Sequence, residues 1–398
     1  MSSERNDGRK TPGRFEERKE LEITTITPVF VGTGRQITPL SFVIDGNELL
    51  VVPDNFLSRL TPEQQASYVT WIESILERRQ SLSLKSFLNS MGLQSSFIRR
   101  MRPRIVEFNR RPRRSGFGEH IKHPDGLPYI PGTEIKGALR TSIIFTLLDD
   151  ATIYGDTLGR NLPRAKISEL NEVAKRTEGT LLRAEGHEND AKYDLLRFVS
   201  ISDTGVFSHG DLFIKQLEVF GRGDCHYIPL LNFETLVAGR QNRFEIRFGA
   251  PESVISGTHL DHMKEWLTLP KLLKACHKHS EAILDEELAY FDEHYPSLLP
   301  VIRCLKQQNC PSSPLLRLGA GQGFLGVTLA LQVKNQNPPL YEALRKAVSW
   351  KRNWCTYPGN FPKTRRVVLD RKKEPSTLLG WVRISKPEDE TQPVECSL

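Results

Sequence analysis

The side chains best placed to do chemistry in this chain are cations beside glycines, and the chemistry they suit is holding a polyanion. Lys136 and Arg140 stand four apart in YIPGTEIKGALR (129–140), so a helix starting there carries both on one face near its N-terminus. Cations at that end work against the helix dipole and add little to helix stability. A phosphate would meet both side chains together with the N–H groups of the first turn, which Pro131 and Gly132 open and Thr133 is suited to cap. The alternative is a capped amphipathic helix with two solvated bases. Gly319, Gly321, Gly323 and Gly326 crowd the second stretch, LRLGAGQGFLGVTLALQ (316–332). Such a run lets two backbones approach closely or turns N–H groups toward an anion, with a tight turn between strands as the alternative.

Two further basic stretches fit the same chemistry. Residues 99–114, RRMRPRIVEFNRRPRR, hold eight arginines in sixteen residues against one acid, Glu107. Arg110, Arg111, Arg113 and Arg114 are candidates for phosphate contacts, with Phe108 or Phe117 able to stack on a base; a solvated loop is the competing reading. Lys363, Arg365 and Arg366 in FPKTRR form the last cluster.

Other constellations point to catalysis less directly. His120 and His123 lie in a polar loop before the helix start, and either one with Lys136 would suit metal-independent acid–base cleavage of RNA. Glycines 319–326 could open a nucleotide site, but the sequence lacks the Lys-Ser/Thr of a phosphate-binding loop, and VTLALQV (327–333) alternates like a strand where a dinucleotide fold needs a helix. Asp203 has no carboxylate partner in sequence and reads as a turn cap. Cys276, His277, Lys278 and His279 are adjacent and so do not share one helix face; no metal or other cofactor is expected. The six cysteines, Cys225, Cys276, Cys304, Cys310, Cys355 and Cys396, form no CxxC pair, and reduced, mostly buried thiols are expected.

The elements that position these residues can be sketched in order. Leu21–Val31 reads as a strand, broken by Gly32 and Gly34. Ser41–Ile44 and Leu49–Val52 flank a hairpin turn at Asp45-Gly46-Asn47. Thr61 caps and Pro62 opens a helix to about Arg79, a second follows from Leu84, and the helical block at about 55–120 reads as an insertion. After the helix of residues 132–144 comes one short helix near 165–175. Leu195–Ile201, Leu212–Phe220 and Arg243–Phe248 then read as strands. His262–Leu273 and Glu281–Phe291 read as two helices, Pro339–Trp350 as another, and Trp381–Ile384 as the last strand.

With 398 residues and 38% hydrophobic content, the chain is long enough for two cores. No run approaches the length of a membrane span, and the polar start lacks a signal-peptide core, so the expected location is the cytoplasm without membrane contact. The net charge of +7 agrees with a polyanionic partner. The organisation expected is a disordered tail (1–20), an N-terminal ferredoxin-like domain (21–250) and a C-terminal half (251–398) that carries the glycine-rich loop.

The helix entrance, IPG followed by KGALR, together with a late glycine-rich loop resembles the RAMP superfamily of CRISPR-associated proteins. EITTITPVFVGTG (22–34) resembles that family's first strand and glycine turn. DLLRFVSISDT (194–204), FPKTRR (361–366) and LGWVRI (379–384) resemble the fifth subunit of Csm, or type III-A, effector complexes. The resemblance covers about Leu21 to Ile384. It implies an α+β fold of two ferredoxin-like (RRM-like) domains with helical insertions, the second degenerate. It implies a non-catalytic subunit that caps the complex at the 3′ end of the crRNA and supports crRNA maturation and antiviral defence. The partners implied are the crRNA, the backbone RAMP subunit, the small helical subunit and host nucleases that trim the guide. The alternative is a metal-independent endoribonuclease acting on precursor crRNA.

Overall fold

The computed structural model describes residues 15–77, 83–108, 116–221, 231–249, 265–351, 364–387 and 395–397. Its order begins with β1 (Phe15–Thr25), β2 (Gly32–Ile37), β3 (Phe42–Asp45) and β4 (Glu48–Val51), then α1 (Pro62–Glu77), α2 (Leu84–Ser90) and α3 (Ser95–Arg100). β5 (Arg104–Phe108) and β6 (Phe117–His120) lead to α4 (Gly132–Leu147), the short α5 (Ala151–Tyr154) and α6 (Leu170–Leu182). Next come β7 (Val199–Ile201), β8 (Leu212–Gly221), β9 (Leu231–Leu236) and β10 (Gln241–Gly249). The remainder holds α7 (Leu269–His294), α8 (Leu299–Gln308), β11 (Leu315–Arg317), α9 (Gly323–Val327), α10 (Ala330–Gln336), α11 (Pro338–Lys351), β12 (Thr364–Leu369), β13 (Pro375–Leu378) and β14 (Trp381–Ser385).

These strands make two curled sheets, as two ferredoxin-like domains with helical insertions require. The first is antiparallel, in the order β11-β14-β1-β10-β7. Its inner face carries Leu21, Ile23, Phe244, Ile246, Val382 and Ile384, all buried in one cluster with Ile135, Leu139 and Ile143 of α4. That alternation explains why β1 and β10 are strands: one face is packed and the other wet. The second sheet has nine strands, in the order β2-β6-β9-β8-β5-β4-β3, and β12 joins β8 and β13. α1, α2 and α3 cover one end of it through Val43, Leu50, Phe87, Leu88 and Ile98.

Several local expectations shift, each for a visible reason. β1 begins at Phe15 and pairs with β10 out to Gly249, so residues 15–20 are strand rather than tail, and it ends at Thr25, whose hydroxyl bonds the Val237 carbonyl at 2.7 Å. The inserted block is helical only as far as Arg100; β5 and β6 belong to the second sheet. Residues 195–198 form a 3₁₀ turn, because the Asp194 carboxylate caps Leu196 N–H at 3.0 Å. The two helices expected at 262–273 and 281–291 are one, α7, since no Gly or Pro interrupts 271–294. Residues 330–336 are helix, not strand, with the Thr328 hydroxyl accepting from Ala330 N–H at 3.2 Å. The thiols are not all reduced: Cys304 on α8 is bonded to Cys396. Cys225 and Cys355 lie outside the described residues.

Candidate nucleic-acid interface

The helix entrance is built as the sequence suggests, but it is filled by the protein itself. Gly132 is required there, since a Cβ would stand 2.4 Å from the Ile201 carbonyl oxygen and 2.5 Å from that of Ser202. The anion at the helix start is Asp203, whose carboxylate accepts Gly132 N–H at 2.8 Å. The turn-cap expectation for Asp203 therefore describes a cap on a distant helix. Lys136 donates to the Val199 carbonyl at 2.8 Å, and burial holds its amine below the usual lysine range. Arg140 forms a bidentate pair with Asp194, at 3.0 and 2.7 Å, and also meets Glu178. Burial pulls the Arg140 guanidinium down, but these two carboxylates outweigh it and its pKa is raised. Neither cation stands as the solvated base pictured from sequence.

His120 is likewise structural. Its side chain is fully buried, Nδ1 accepts Val31 N–H at 3.3 Å, and Nε2 faces the Tyr129 carbonyl at 3.2 Å. Burial pushes its pKa down to about 4, so the ring is neutral and both nitrogens are committed. It has no ring nitrogen left to move a proton on a substrate. His123 sits in the turn closed by its backbone bond to Leu127, with its ring 4.2 Å from that of Tyr129. Beside His120, the buried Glu234 of β9 holds Lys122 at 2.5 Å and Arg104 of β5. Burial would raise the Glu234 carboxyl, but the two cations hold it down.

The glycine turn is different. Gly319 has φ +59°, and a Cβ there would stand 2.0 Å from the Phe30 carbonyl oxygen; one on Gly321 would stand 2.0 Å from that of Leu379. Ala320 N–H bonds the Phe30 carbonyl at 3.0 Å, and Leu318 N–H bonds Gly380 at 2.7 Å. The first two glycines therefore let the turn close on the 28–31 and 379–380 segments. Gly323 has φ +68° and opens onto unfilled space. Phe30 and Val31, which pack on this turn, lead into β2, whose residues Gly32–Gln36 are exposed and bulge away from β6, with Gly34 at φ +83°. Two glycine-rich segments far apart in sequence thus meet at Phe30.

Cations gather behind the turn. Buried Glu287 receives Arg317 at 3.0 Å and Arg365 at 2.8 Å, so two guanidiniums share one carboxylate. Arg365 also stacks over Tyr290, 4.2 Å from the ring centroid. The adjacent Arg366 is exposed and donates to the Ala320 carbonyl at 2.5 Å, which ties its charge to the glycine turn. Among the described residues, these three arginines stand around the one carboxylate of Glu287. A cavity of about 260 Å³ opens beside Arg365. There Lys334 pairs with Glu286 and Arg345 with Glu342, so its cations are already matched.

The remaining predicted residues divide plainly. Arg110, Arg111, Arg113, Arg114 and Lys363 lie outside the described residues. Phe108 and Phe117, expected to offer rings to bases, are packed into the core instead, at 9% and 0% exposure. The aromatic pair at the interface is Phe30 with Phe233, whose rings stack at 4.2 Å and 18°. Neither ring stands out in the sequence. The available signal was small residues opposite large ones: Gly32 and Gly118 carry no Cβ because these rings occupy that space, with closest approaches of 2.8 and 2.7 Å.

Comparison with known proteins agrees with this architecture. The RAMP superfamily model matches residues 22–302. The CRISPR system Cms protein Csm5 of Methanocaldococcus jannaschii is 25% identical over 395 residues, covering 93% of this chain and 89% of the relative. The Csm5 protein of Mycobacterium tuberculosis is 22% identical over 336 residues, covering 78% of this chain and 82% of its own. Among solved structures, a chain of the type III-A Csm–crRNA–target RNA ternary complex superposes with a TM-score of 0.69 at 18% identity, over 92% of this chain and all of that one. The crystal structure of T. onnurineus Csm5 gives 0.64 at 17% identity, over 91% of this chain and 99% of its own.

Proposed function

The chain belongs to the RAMP superfamily, and on that premise we propose that it is a non-catalytic crRNA-binding subunit of a type III-A CRISPR (Csm) effector complex. In this reading it caps the complex at the crRNA 3′ end and supports guide maturation and antiviral defence in the cytoplasm. Its neighbours are the backbone RAMP subunit and the small helical subunit, with host nucleases trimming the guide. The names of its relatives, and the RNA-bound complex to which one solved chain belongs, support the subunit assignment. Among the described residues, no helix is long and apolar enough to cross a membrane.

The observation that carries the RNA assignment is the meeting of the 30–36 and 319–323 segments at Phe30, with Arg366 bonded to the turn and two more arginines behind it. A bare backbone lets a phosphate approach closely, and a local excess of positive charge holds it without reading sequence. The test is binding of the full chain to labelled single-stranded RNA of guide length across a salt series, with product sizes followed with and without Mg²⁺. Intact RNA whose affinity falls steeply with salt is the expected result. Cleavage at one defined position would replace the proposal with the endoribonuclease reading. Since His120 is buried and neutral, such cleavage would run through His123 with Lys136 or through other side chains.

A further inference from the structure

Phe233 stands on the outer face of the second sheet, where register fixes its neighbours. Lys215 on β8 is its cross-strand partner on one side, and Gly118 on β6 is its partner on the other. One face of its ring rests on Phe30. Its edge leans over the bare backbone of Gly118, where a Cβ would stand 2.7 Å from Cδ1. Phe233 remains half-buried, as does Phe213 two positions from Lys215 on the same face, and the Lys215 amine lies 5.1 Å from the Phe213 ring centroid. Phe233 also shares a cluster with Phe30 and Ala320, so this row of rings runs directly into the glycine turn that Arg366 holds.

Half-covered rings, fixed by glycines and flanked by a lysine and an arginine, match a ligand with a flat apolar face and an anionic backbone. An apolar peptide would offer no anion to the Arg366 guanidinium, which bonds a backbone carbonyl, while Lys215 also faces Glu395. We propose that Phe233, backed by Phe30, is a stacking platform for one nucleobase of the single-stranded RNA whose phosphates lie along the glycine turn. The inference rests on the RNA-binding reading above and adds to it a base contact that phosphate chemistry does not require. Stacking is indifferent to base identity, so the platform fixes position along the strand without selecting sequence.

The test uses the full chain and single-stranded oligoribonucleotides in which 2-aminopurine replaces each position in turn. One position, or two adjacent positions, should be strongly quenched on binding. Phe233→Leu keeps the apolar contact with Phe30 but has no ring; it should bind about tenfold more weakly and lose the quenching, with an unchanged salt slope, whereas Phe233→Tyr should retain both. Equal affinity of wild type and Phe233→Leu overturns the platform while leaving the RNA reading intact. If Phe233→Leu does not fold, the wild-type scan decides alone: no quenched position overturns it. A wild-type chain that binds no RNA overturns the RNA reading, and the platform falls with it.

Discussion

The helix entrance at 129–140 and the glycine turn at 319–323 look alike in sequence, each pairing glycine with nearby cations, yet the structure uses them in opposite ways. At the entrance both cations meet an internal partner: Asp194 and Glu178 hold Arg140, Lys136 bonds a strand carbonyl, and Asp203 caps the helix. At the turn the balance is uneven, because Arg317 and Arg365 share Glu287 and Arg366 is exposed. A motif's cations thus locate a ligand only where the fold has not already supplied the counter-charge. The entrance locks β7 to α4, and the turn presents surface.

The largest expected effect attacks closure of the turn. Gly321→Ala forces a Cβ to within 2.0 Å of the Leu379 carbonyl oxygen, so backbone must move. We expect a loss of about 3 kcal/mol or more, or failure to accumulate as soluble protein. A melting temperature equal to that of the wild type would show that the segments are not locked together there.

Lowering the pH should come next. His120 at the end of β6 and His279 on α7 are each held at about 4 by burial, below the ordinary value near 6.5. Between those values the unfolded chain binds more protons than the folded one. Stability is therefore full above about pH 6.5 and falls as the pH drops toward 4. The two together should remove about 3 kcal/mol between pH 7 and 5, measured as the shift in the urea midpoint. A flat profile over that range would contradict the buried neutral assignment.

Arg140→Ala sharpens the contrast between the two regions. It takes the bidentate partner from Asp194, leaving that carboxylate with Arg183 and the Leu196 N–H, and frees Glu178; it should cost about 2 kcal/mol of stability, while RNA affinity of the folded fraction stays within about twofold. A large loss of affinity with an unchanged melting temperature would return the entrance to the RNA. The smallest effect belongs to Arg366→Gln, which should leave folding nearly intact, weaken RNA binding about threefold and reduce the salt slope by somewhat under one unit. An unchanged slope would remove Arg366 from the interface.

The sequence disclosed patterns whose cause is local. The helix entrance, the 45–47 hairpin with Gly46 at φ +62°, the Thr61 cap and the last strand all stand where periodicity and turn chemistry place them. It could not disclose which distant carboxylate meets which cation. Asp203 lies 71 residues from Gly132 and Asp194 lies 54 residues from Arg140, and only the fold brings them together. Residues 327–333 alternate like a strand in composition, yet Leu331, Gln332 and Val333 are all buried on a short helix; a run this brief does not separate the two periods. The aromatic pair stayed hidden for a related reason: Phe30 and Phe233 are joined by strand order, and their only trace in sequence is the missing side chains of Gly32 and Gly118.

The central claim is that RNA lies along the glycine turn and not at the helix entrance. Hydrogen–deuterium exchange of the full chain, with and without saturating single-stranded RNA of guide length, tests it most directly. Protection in 30–36 and 318–323, with unchanged exchange across 129–140, is the predicted result. Protection centred on 129–140, with exchange at the glycine turn unaltered, would contradict the account.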